Sequence, residues 1–106
     1  MPLDYRLKKE KDFNLVFKKG KRLYSSSLTL VYFASKETKA GFCVSKKHGK
    51  SVQRNRIKRL LREAFRAAQE DMQKSYAMVL VPKVREEYSV KAFERDLRCI
   101  IKKEKL

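Results

Sequence analysis

The chain has 106 residues, of which 28 are Lys or Arg and 12 are Asp or Glu, so its formal net charge is +16 while 42% of its residues are hydrophobic. This combination excludes a disordered basic tail, and the length leaves room for one domain, residues 1–106, with one modest core. Because such an excess of charge opposes folding, it indicates a polyanionic partner, either nucleic acid or an anionic membrane surface.

Nucleic acid is the favoured partner because the sequence contains no segment suited to a membrane. Its longest apolar runs, "LTLVYFA" and "YAMVLVP", are far shorter than the roughly 20 residues that a membrane-spanning helix requires. The amino-terminal segment "MPLDYRLKKEKDF" has no apolar stretch typical of a signal peptide. We therefore expect a cytoplasmic protein that does not associate with a membrane.

The first predicted element is a helix from about Lys9 to Lys19. Its apolar residues Phe13, Val16 and Phe17 fall on one side of the helix. Gly20 is placed to end the helix as its C′ residue.

Strands follow this helix in the chain. A short strand from Arg22 to Ser25 is weakly indicated. The runs "LTLVYFA" and "AGFCVS", separated by the polar turn "SKETK", are rich in β-branched and aromatic residues and predict an antiparallel hairpin. The later run "YAMVLVP" is apolar throughout, which is typical of a strand covered on at least one side by helices.

Two more helices are predicted on either side of that last strand. From Ser51 to about Gln73 the apolar residues recur at steps of three and four and share one face: Ile57, Leu60, Leu61, Ala64, Phe65, Ala68 and Met72. Ser89 is placed to cap a helix that ends at about Lys103, with its own apolar face: Val90, Phe93, Leu97, Ile100 and Ile101. The order α-β-β-β-α-β-α predicts an α/β fold, a small two-layer sandwich in which about three helices pack on a mixed four-stranded sheet.

The helix that begins at Ser51 carries cations opposite its apolar face. At 100° per residue this stripe consists of Asn55, Lys58, Arg59, Arg62 and Arg66, and the preceding "VSKKHGKS" adds Lys46, Lys47 and Lys50. Arg54 and Arg56 lie in the first turns, where a cation opposes the helix dipole by about 0.3–1 kcal/mol. A solvated surface is the usual role of a charge run, but like charges at i and i+4 repel each other. Bound phosphates would reverse both penalties, so we favour a phosphate-binding surface.

The aromatic residues of the first helix have two interpretations. Phe13 and Phe17 are spaced as core residues are, and spacing alone favours burial. The alternative is that they line a groove in which unstacked bases rest. Tyr24 and Tyr32 have the same ambiguity.

The remaining reactive side chains favour structural roles. Cys43 and Cys99 lie in apolar segments and are predicted to be buried free thiols, with a disulfide as the alternative. His48 is the single histidine, and its lysine-rich surroundings favour a loop residue over a catalytic one. No spacing of Cys or His resembles a metal site, and the scattered carboxylates suggest neither an acid–base pair nor a Mg²⁺ site.

The segment "RNRIKRLLREAFR", preceded by "VSKKHGKSVQ", resembles the arginine-asparagine-arginine motif of the bacterial ribonuclease P protein subunit. The likeness extends to "LKKEKDFNLVFKKGKR", which is similar to the first helix of that family, and to "YAMVLVPK", which is similar to its later strand. It implies a subunit of a ribonucleoprotein hydrolase, an endonuclease that removes the 5′ leader from precursor tRNA. In that family the catalytic RNA subunit, with Mg²⁺ held mainly by RNA and substrate, carries the chemistry, and no organic cofactor is expected.

The resemblance also implies roles for particular residues. The motif residues Arg54, Asn55, Arg56, Lys58, Arg59 and Arg62 would contact the catalytic RNA. A cleft for the single-stranded leader would be lined by Phe13, Phe17 and Val31, with Lys46 and Lys47 near its rim; many relatives have an aromatic residue where Val31 stands here. The family fold further implies a left-handed β-α-β crossover through the arginine-rich helix, against the general right-handed rule.

Two other functions remain open on the sequence. One is a general RNA-binding module, such as a ribosomal protein of related fold, which would not distinguish precursor from mature tRNA. The other is a self-sufficient nuclease that uses His48 and a carboxylate, for which the sequence offers the least support.

Overall fold

The computed structural model of the protein describes residue 7 and residues 9–106. Most of the amino-terminal segment in which we predict no signal peptide, residues 1–6 and 8, therefore lies outside the described residues. The described residues form three α-helices and four strands: α1 (Glu10–Lys19), β1 (Lys21–Tyr24), β2 (Leu28–Ala34), β3 (Lys39–Phe42), α2 (Ser51–Ala68), β4 (Tyr76–Pro82) and α3 (Val90–Glu104). Short 3-10 turns at Lys46–His48 and Gln69–Asp71 flank α2. This order confirms the predicted succession α-β-β-β-α-β-α.

The four strands form one mixed sheet in the order β1-β2-β4-β3. Both β1 and β4 run antiparallel to β2, whereas β3 runs parallel to β4. The predicted hairpin of β2 and β3 is therefore wrong, because β4 lies between them. The seven-residue apolar strands β2 and β4 occupy the centre, where both of their edges are hydrogen-bonded, and the four-residue strands β1 and β3 form the edges. The left-handed sense of the β3-α2-β4 crossover stays a prediction.

One face of the sheet packs against α2 and α3 and holds the main core. The register places Leu30 of β2 beside Leu80 of β4, and every second residue of each strand points to this face. The helices bury residues that were predicted to share their apolar faces: Ile57, Leu61, Ala64, Phe65 and Ala68 of α2, with Phe93, Leu97, Ile100 and Ile101 of α3. The predicted packing of these two helices on the sheet is confirmed.

The opposite face of the sheet is partly covered by α1. Val16 of this helix clusters with Val31 of β2 and with Ala77 and Val79 of β4. The central strands carry apolar side chains on both faces, so helices on one side alone would leave half of them in water. The predicted two layers therefore gain a third, partial layer formed by α1.

Gly20 follows the end of α1, but it does not adopt the left-handed conformation that is common for a C′ glycine. Its backbone is extended, with φ −75° and ψ 154°, so no left-handed conformation is required. A Cβ at this position would lie 2.5 Å from the carbonyl oxygen of Val16 and 2.7 Å from Cγ1 of Val31. Glycine is needed because β1 begins in close contact with the helix and with β2.

Hydrogen bonds to Asp96 connect the turn between β1 and β2 to α3. Its buried carboxylate accepts hydrogen bonds from the backbone N–H and hydroxyl of Ser27 and from the hydroxyl of Ser26. At the start of the same helix, the hydroxyl of Ser89 accepts from Ala92 N at 3.1 Å, which confirms the predicted cap.

The two cysteines are free thiols, as predicted, but neither is fully buried. Cys43 is half-buried after β3, and Cys99 lies exposed on α3. The predicted burial of Cys99 was wrong because this residue lies beside the apolar face of α3 and not within it. None of the helices in the described part of the chain is long and apolar enough to span a bilayer.

Candidate nucleic-acid interface

The outer surface of α2 carries the predicted cationic stripe. Its apolar residues are buried against the sheet, so the opposite side of the helix faces solvent. Six residues line a shallow depression of about 570 Å³ on this side: Val52, Asn55, Arg56, Lys58, Arg59 and Arg62. Arg66 is exposed one turn farther along the helix. The structure therefore brings together on one surface the α2 residues that the sequence analysis grouped.

These cations have no acidic partners among the residues that the structure describes. No ion pair among the residues described involves a side chain of α2, and Glu63, the single acid on the helix, makes none. The Nε atoms of Arg54 and Arg62 are buried without a hydrogen-bond acceptor. Buried donors without an acceptor cost free energy unless a ligand or water satisfies them. Positive charge and unused donors on the same surface make it suited to an anion.

The amino terminus of α2 adds backbone donors to this surface. Lys50 occupies the N-cap position and forms no side-chain cap, and the first turn contains no acid. The first N–H groups of a helix have no partner within the helix, and its dipole favours an anion there. The side chain of Arg54 reaches back to the hydroxyl of Ser51 at 3.3 Å, which keeps one guanidinium at this end.

The loop before α2 carries two of its lysines on a hydrogen-bonded 3-10 turn. The hydroxyl of Ser45 accepts a hydrogen bond from Lys47 N, and His48 closes a capping box with the backbone of Ser45. Gly49 has φ 122°, a conformation that side chains disfavour, and this turns the chain into α2. Lys46 and Lys47 of the turn and Lys50 of the loop are all exposed, as are their neighbours Ser45 and Gly49.

His48 is a structural residue. Its ring is buried, Nδ1 accepts a hydrogen bond from Ser45 N at 3.1 Å, and Nε2 donates to the carbonyl oxygen of Pro82 at 2.7 Å. A backbone N–H can only donate, so these partners assign the proton to Nε2. The histidine therefore ties the lysine-bearing turn to the end of β4, and both of its nitrogens are engaged in doing so.

The second candidate surface lies on the other side of the sheet, around α1. Phe13 and Phe17 are both half-buried, so neither the core nor the groove interpretation describes them completely. A Cβ at Gly41 of β3 would overlap the ring of Phe13, which shows how closely that ring approaches the strand. At the other end of the helix, the guanidinium carbon of Arg22 lies 5.5 Å from the centre of the Phe17 ring. Phe13 thus lies near the edge strand β3, and Phe17 lies near the opposite edge strand, β1.

Val31, the third residue predicted to line a cleft, is covered in the structure. Val31 does point to the α1 side of the sheet, but it is 0% exposed beneath the helix and presents no surface to a ligand. Phe33, two residues along β2, points to the same side and is partly exposed. Tyr32 points to the opposite face and meets Tyr76 edge to face at 5.5 Å. Because side chains alternate between the two faces of β2, Phe33 and Val31 lie on the same face. The sequence could not show which of the two α1 would cover.

The two candidate surfaces meet at the end of β3. Cys43, just after this strand, belongs to the cluster under α1, and the turn with Lys46 follows it and leads into α2. The arrangement offers cations and backbone N–H groups to phosphates on one side and half-exposed aromatic rings to bases on the other. Within the described residues, no three His, Cys, Asp or Glu side chains lie close enough together to hold a metal ion.

Several known proteins share this sequence pattern and fold. The sequence profile of the family described as Ribonuclease P matches residues 1–105. The chain is 39% identical over 105 residues to a ribonuclease P protein component of Finegoldia magna, covering 97% of this chain and 93% of that one. The RNase P protein of Staphylococcus aureus has the same fold, with a TM-score of 0.80 and 26% identity over 95% of each chain. That of Thermotoga maritima has a TM-score of 0.79 and 28% identity, covering 92% of this chain and 96% of its own. The chain belongs to the ribonuclease P protein family.

Proposed function

We propose that this chain, acting as a single RNA-binding domain over residues 1–106, assists a catalytic RNA subunit in the endonucleolytic removal of the 5′ leader from precursor tRNA. The observation that carries the proposal is the surface of α2, where arginine and lysine side chains lie together without an acidic partner in the described structure. A protein gains nothing in stability from such a surface unless an anion binds there. Membership of the ribonuclease P family supports RNA as that anion.

The two surfaces have different roles in this proposal. Arg54, Asn55, Arg56, Lys58, Arg59, Arg62 and Arg66 contact the phosphates of the catalytic RNA, together with Lys46, Lys47 and Lys50. Phe13 and Phe17, with Phe33 now added, bind the single-stranded leader by stacking, because aromatic rings stack on any base. Lys46 stands between the two surfaces and is suited to the phosphates where the leader passes from one to the other.

The chemistry of hydrolysis belongs to the RNA in this proposal. Mg²⁺ prefers octahedral oxygen ligands, often from phosphates, and the described residues contain no group of acidic side chains that would hold it. In this proposal the RNA and the substrate supply its ligands. The protein contributes by binding the leader and by stabilising the active RNA fold, and the holoenzyme acts in the cytoplasm.

Reconstitution with the catalytic RNA tests the proposal. Protein alone should leave precursor tRNA intact, whereas protein and RNA together should cleave it at a low Mg²⁺ concentration at which RNA alone is slow. Affinity for precursor tRNA should rise with leader length, and affinity for mature tRNA should stay constant. If the protein changes neither the cleavage rate nor the leader-dependent affinity, the proposal fails. Equal effects on precursor and mature tRNA would instead indicate a general RNA-binding module.

A further inference from the structure

The edge strand β1 presents two planar side chains on the same side of the sheet as α1. The register pairs Arg22 with Val31 and Tyr24 with Thr29, so both side chains share the face on which Val31 lies under the helix. Arg22 already lies over the ring of Phe17, at 5.5 Å from its centre. Phe17, Arg22 and Tyr24 therefore form a row of three planar groups that leads from α1 to the outer edge of the sheet.

Tyr24 contributes little to the folded protein. It is 71% exposed, and within the described residues its side chain has neither an aromatic neighbour nor a hydrogen-bond partner. A purely structural explanation for its presence in β1 is that tyrosine favours the strand conformation. An exposed aromatic ring beside a cation already stacked on another ring is also the composition of a surface that binds single-stranded nucleic acid.

The spacing of the row suits a base. Side chains two residues apart on a strand are separated by roughly 6.8 Å. This is about twice the optimal contact distance of 3.5–4.0 Å between carbon atoms, which is the separation that a base stacked between two planar groups requires. Lys18 and Lys19, exposed at the end of α1, supply positive charge for the phosphates beside it.

We propose that Tyr24, together with Arg22, stacks on the bases of a single-stranded RNA leader beyond those held at Phe13 and Phe17. The inference rests on the proposed function, because it extends the leader-binding surface that Phe13 and Phe17 form there. β1 is the edge of the sheet opposite β3, about three strand spacings or 14 Å away, and β3 leads into Lys46 and α2. Tyr24 therefore contacts leader nucleotides farther from the proposed RNA-binding surface of α2 than those at Phe13.

The test measures dissociation constants of the reconstituted holoenzyme for precursor tRNAs whose leaders lengthen one nucleotide at a time. Tyr24→Ala should match the wild type with short leaders and bind about fivefold or more weakly once the leader is long enough, the low end of what one stacked base contributes. Tyr24→Phe should keep wild-type affinity, because the ring stays. Phe17→Ala should lose affinity at a shorter leader length than Tyr24→Ala does.

Two further variants make the result decisive. Arg22→Lys keeps the charge but removes the planar group, so it should weaken binding at the same leader lengths as Tyr24→Ala, and it remains informative if Tyr24→Ala fails to fold. Val84→Ala removes another exposed apolar side chain, 58% exposed after β4, and should bind every leader as the wild type does.

The outcomes separate this inference from the function on which it rests. If Phe17→Ala shows a leader-dependent loss while Tyr24→Ala and Arg22→Lys match the wild type at every length, the inference is overturned and the proposed function stands. A loss in Tyr24→Ala that is the same for all leaders, or for mature tRNA, also overturns it. If the wild type shows no leader dependence at all, both proposals fail.

Discussion

The ring of Phe13 lies directly against Gly41, in space that the side chain of any other residue at position 41 would occupy. Gly41 is a strand residue whose backbone needs no unusual conformation, so its role is to leave room for the ring. The position of a proposed base-binding ring on α1 therefore depends on a missing side chain on β3.

Gly41→Ala should displace the Phe13 ring and weaken leader binding. The added methyl group meets the far end of a side chain that can rotate away, so the fold should survive. We expect affinity for precursor tRNA to fall about as far as in Phe13→Ala, with affinity for mature tRNA unchanged. In the double variant the second change should add little, because the ring is already absent. Losses that add fully would show that Gly41 acts through something other than Phe13.

Arg59→Ala and Arg62→Ala should weaken assembly with the catalytic RNA without destabilising the free protein. Neither arginine has an acidic partner in the described structure, and Arg62 is repelled by Lys58 and Arg66, at i−4 and i+4. Each change should reduce the slope of log K against log salt by about 0.7–0.9 for each phosphate that the variant no longer binds. Binding titrations at several salt concentrations and thermal unfolding of the free protein measure the two effects.

Arg98→Ala is the matched control for the arginines of α2. Arg98 donates to Glu94 at 3.0 Å, to Asp71 at 2.8 Å and to the carbonyl oxygen of Ala67 at 2.9 Å. Its removal should lower the unfolding temperature and leave the salt dependence of RNA binding unchanged. Wild-type stability in Arg98→Ala together with a reduced salt slope would contradict the distinction between paired and unpaired arginines.

Phe17→Ala should weaken binding of precursor tRNA selectively. The ring is half-buried, so its loss removes a stacking surface and only part of a core contact. A stacked base contributes about 1–3 kcal/mol, which corresponds to roughly 5- to 150-fold in affinity. Assembly with the catalytic RNA should stay near normal. Dissociation constants for precursor and mature tRNA that change by the same factor would count against the cleft.

Asp96 should make the stability of the protein depend on pH in the acidic range. Burial alone raises the pKa of this carboxyl, but hydrogen bonds from Ser27 and Ser26 and the charge of Arg95 outweigh it, and the pKa is lowered. A carboxyl whose pKa is lower in the folded state stabilises the protein above its unfolded pKa of about 3.9 and loses this effect as the pH falls through the folded value.

Asp96→Asn should therefore be less stable than the wild type near neutral pH, by about 1.5–3 kcal/mol for hydrogen bonds to a charged group. The difference should shrink as the pH falls below about 3.9, because the carboxyl is protonated first in the unfolded chain and, only at the lower folded pKa, in the native protein. Urea unfolding of both proteins at about pH 7 and about pH 3 measures it. A difference that stays constant over this range would show that the hydrogen-bonding shape of the side chain, and not its charge, holds the turn.

Features that depend on neighbouring residues along the chain could be predicted from the sequence. The helical period of α2 placed Ile57 and Leu61 in the core and Arg59 and Arg62 on the surface, because side chains three and four residues apart share a face whatever the helix packs against. The cap at Ser89 and the strand at Tyr76–Pro82 follow from equally local patterns. The cationic surface of α2 was therefore evident before its surroundings were known.

Features that depend on which segments meet could only come from the tertiary structure. Strand patterns show which segments are strands but not their partners, so the position of β4 between β2 and β3 contradicted the predicted hairpin. For the same reason the sequence left the role of Tyr24 undecided, and Val31 rather than Phe33 was predicted to line the cleft. In the structure α1 covers Val31 and leaves Tyr24 and Phe33 accessible. The contact between Phe13 and Gly41 joins residues that two strands, β1 and β2, separate along the chain. The sequence by itself determined the charge and the helical faces, since these are local, whereas packing between distant segments decided which aromatic side chains stay accessible.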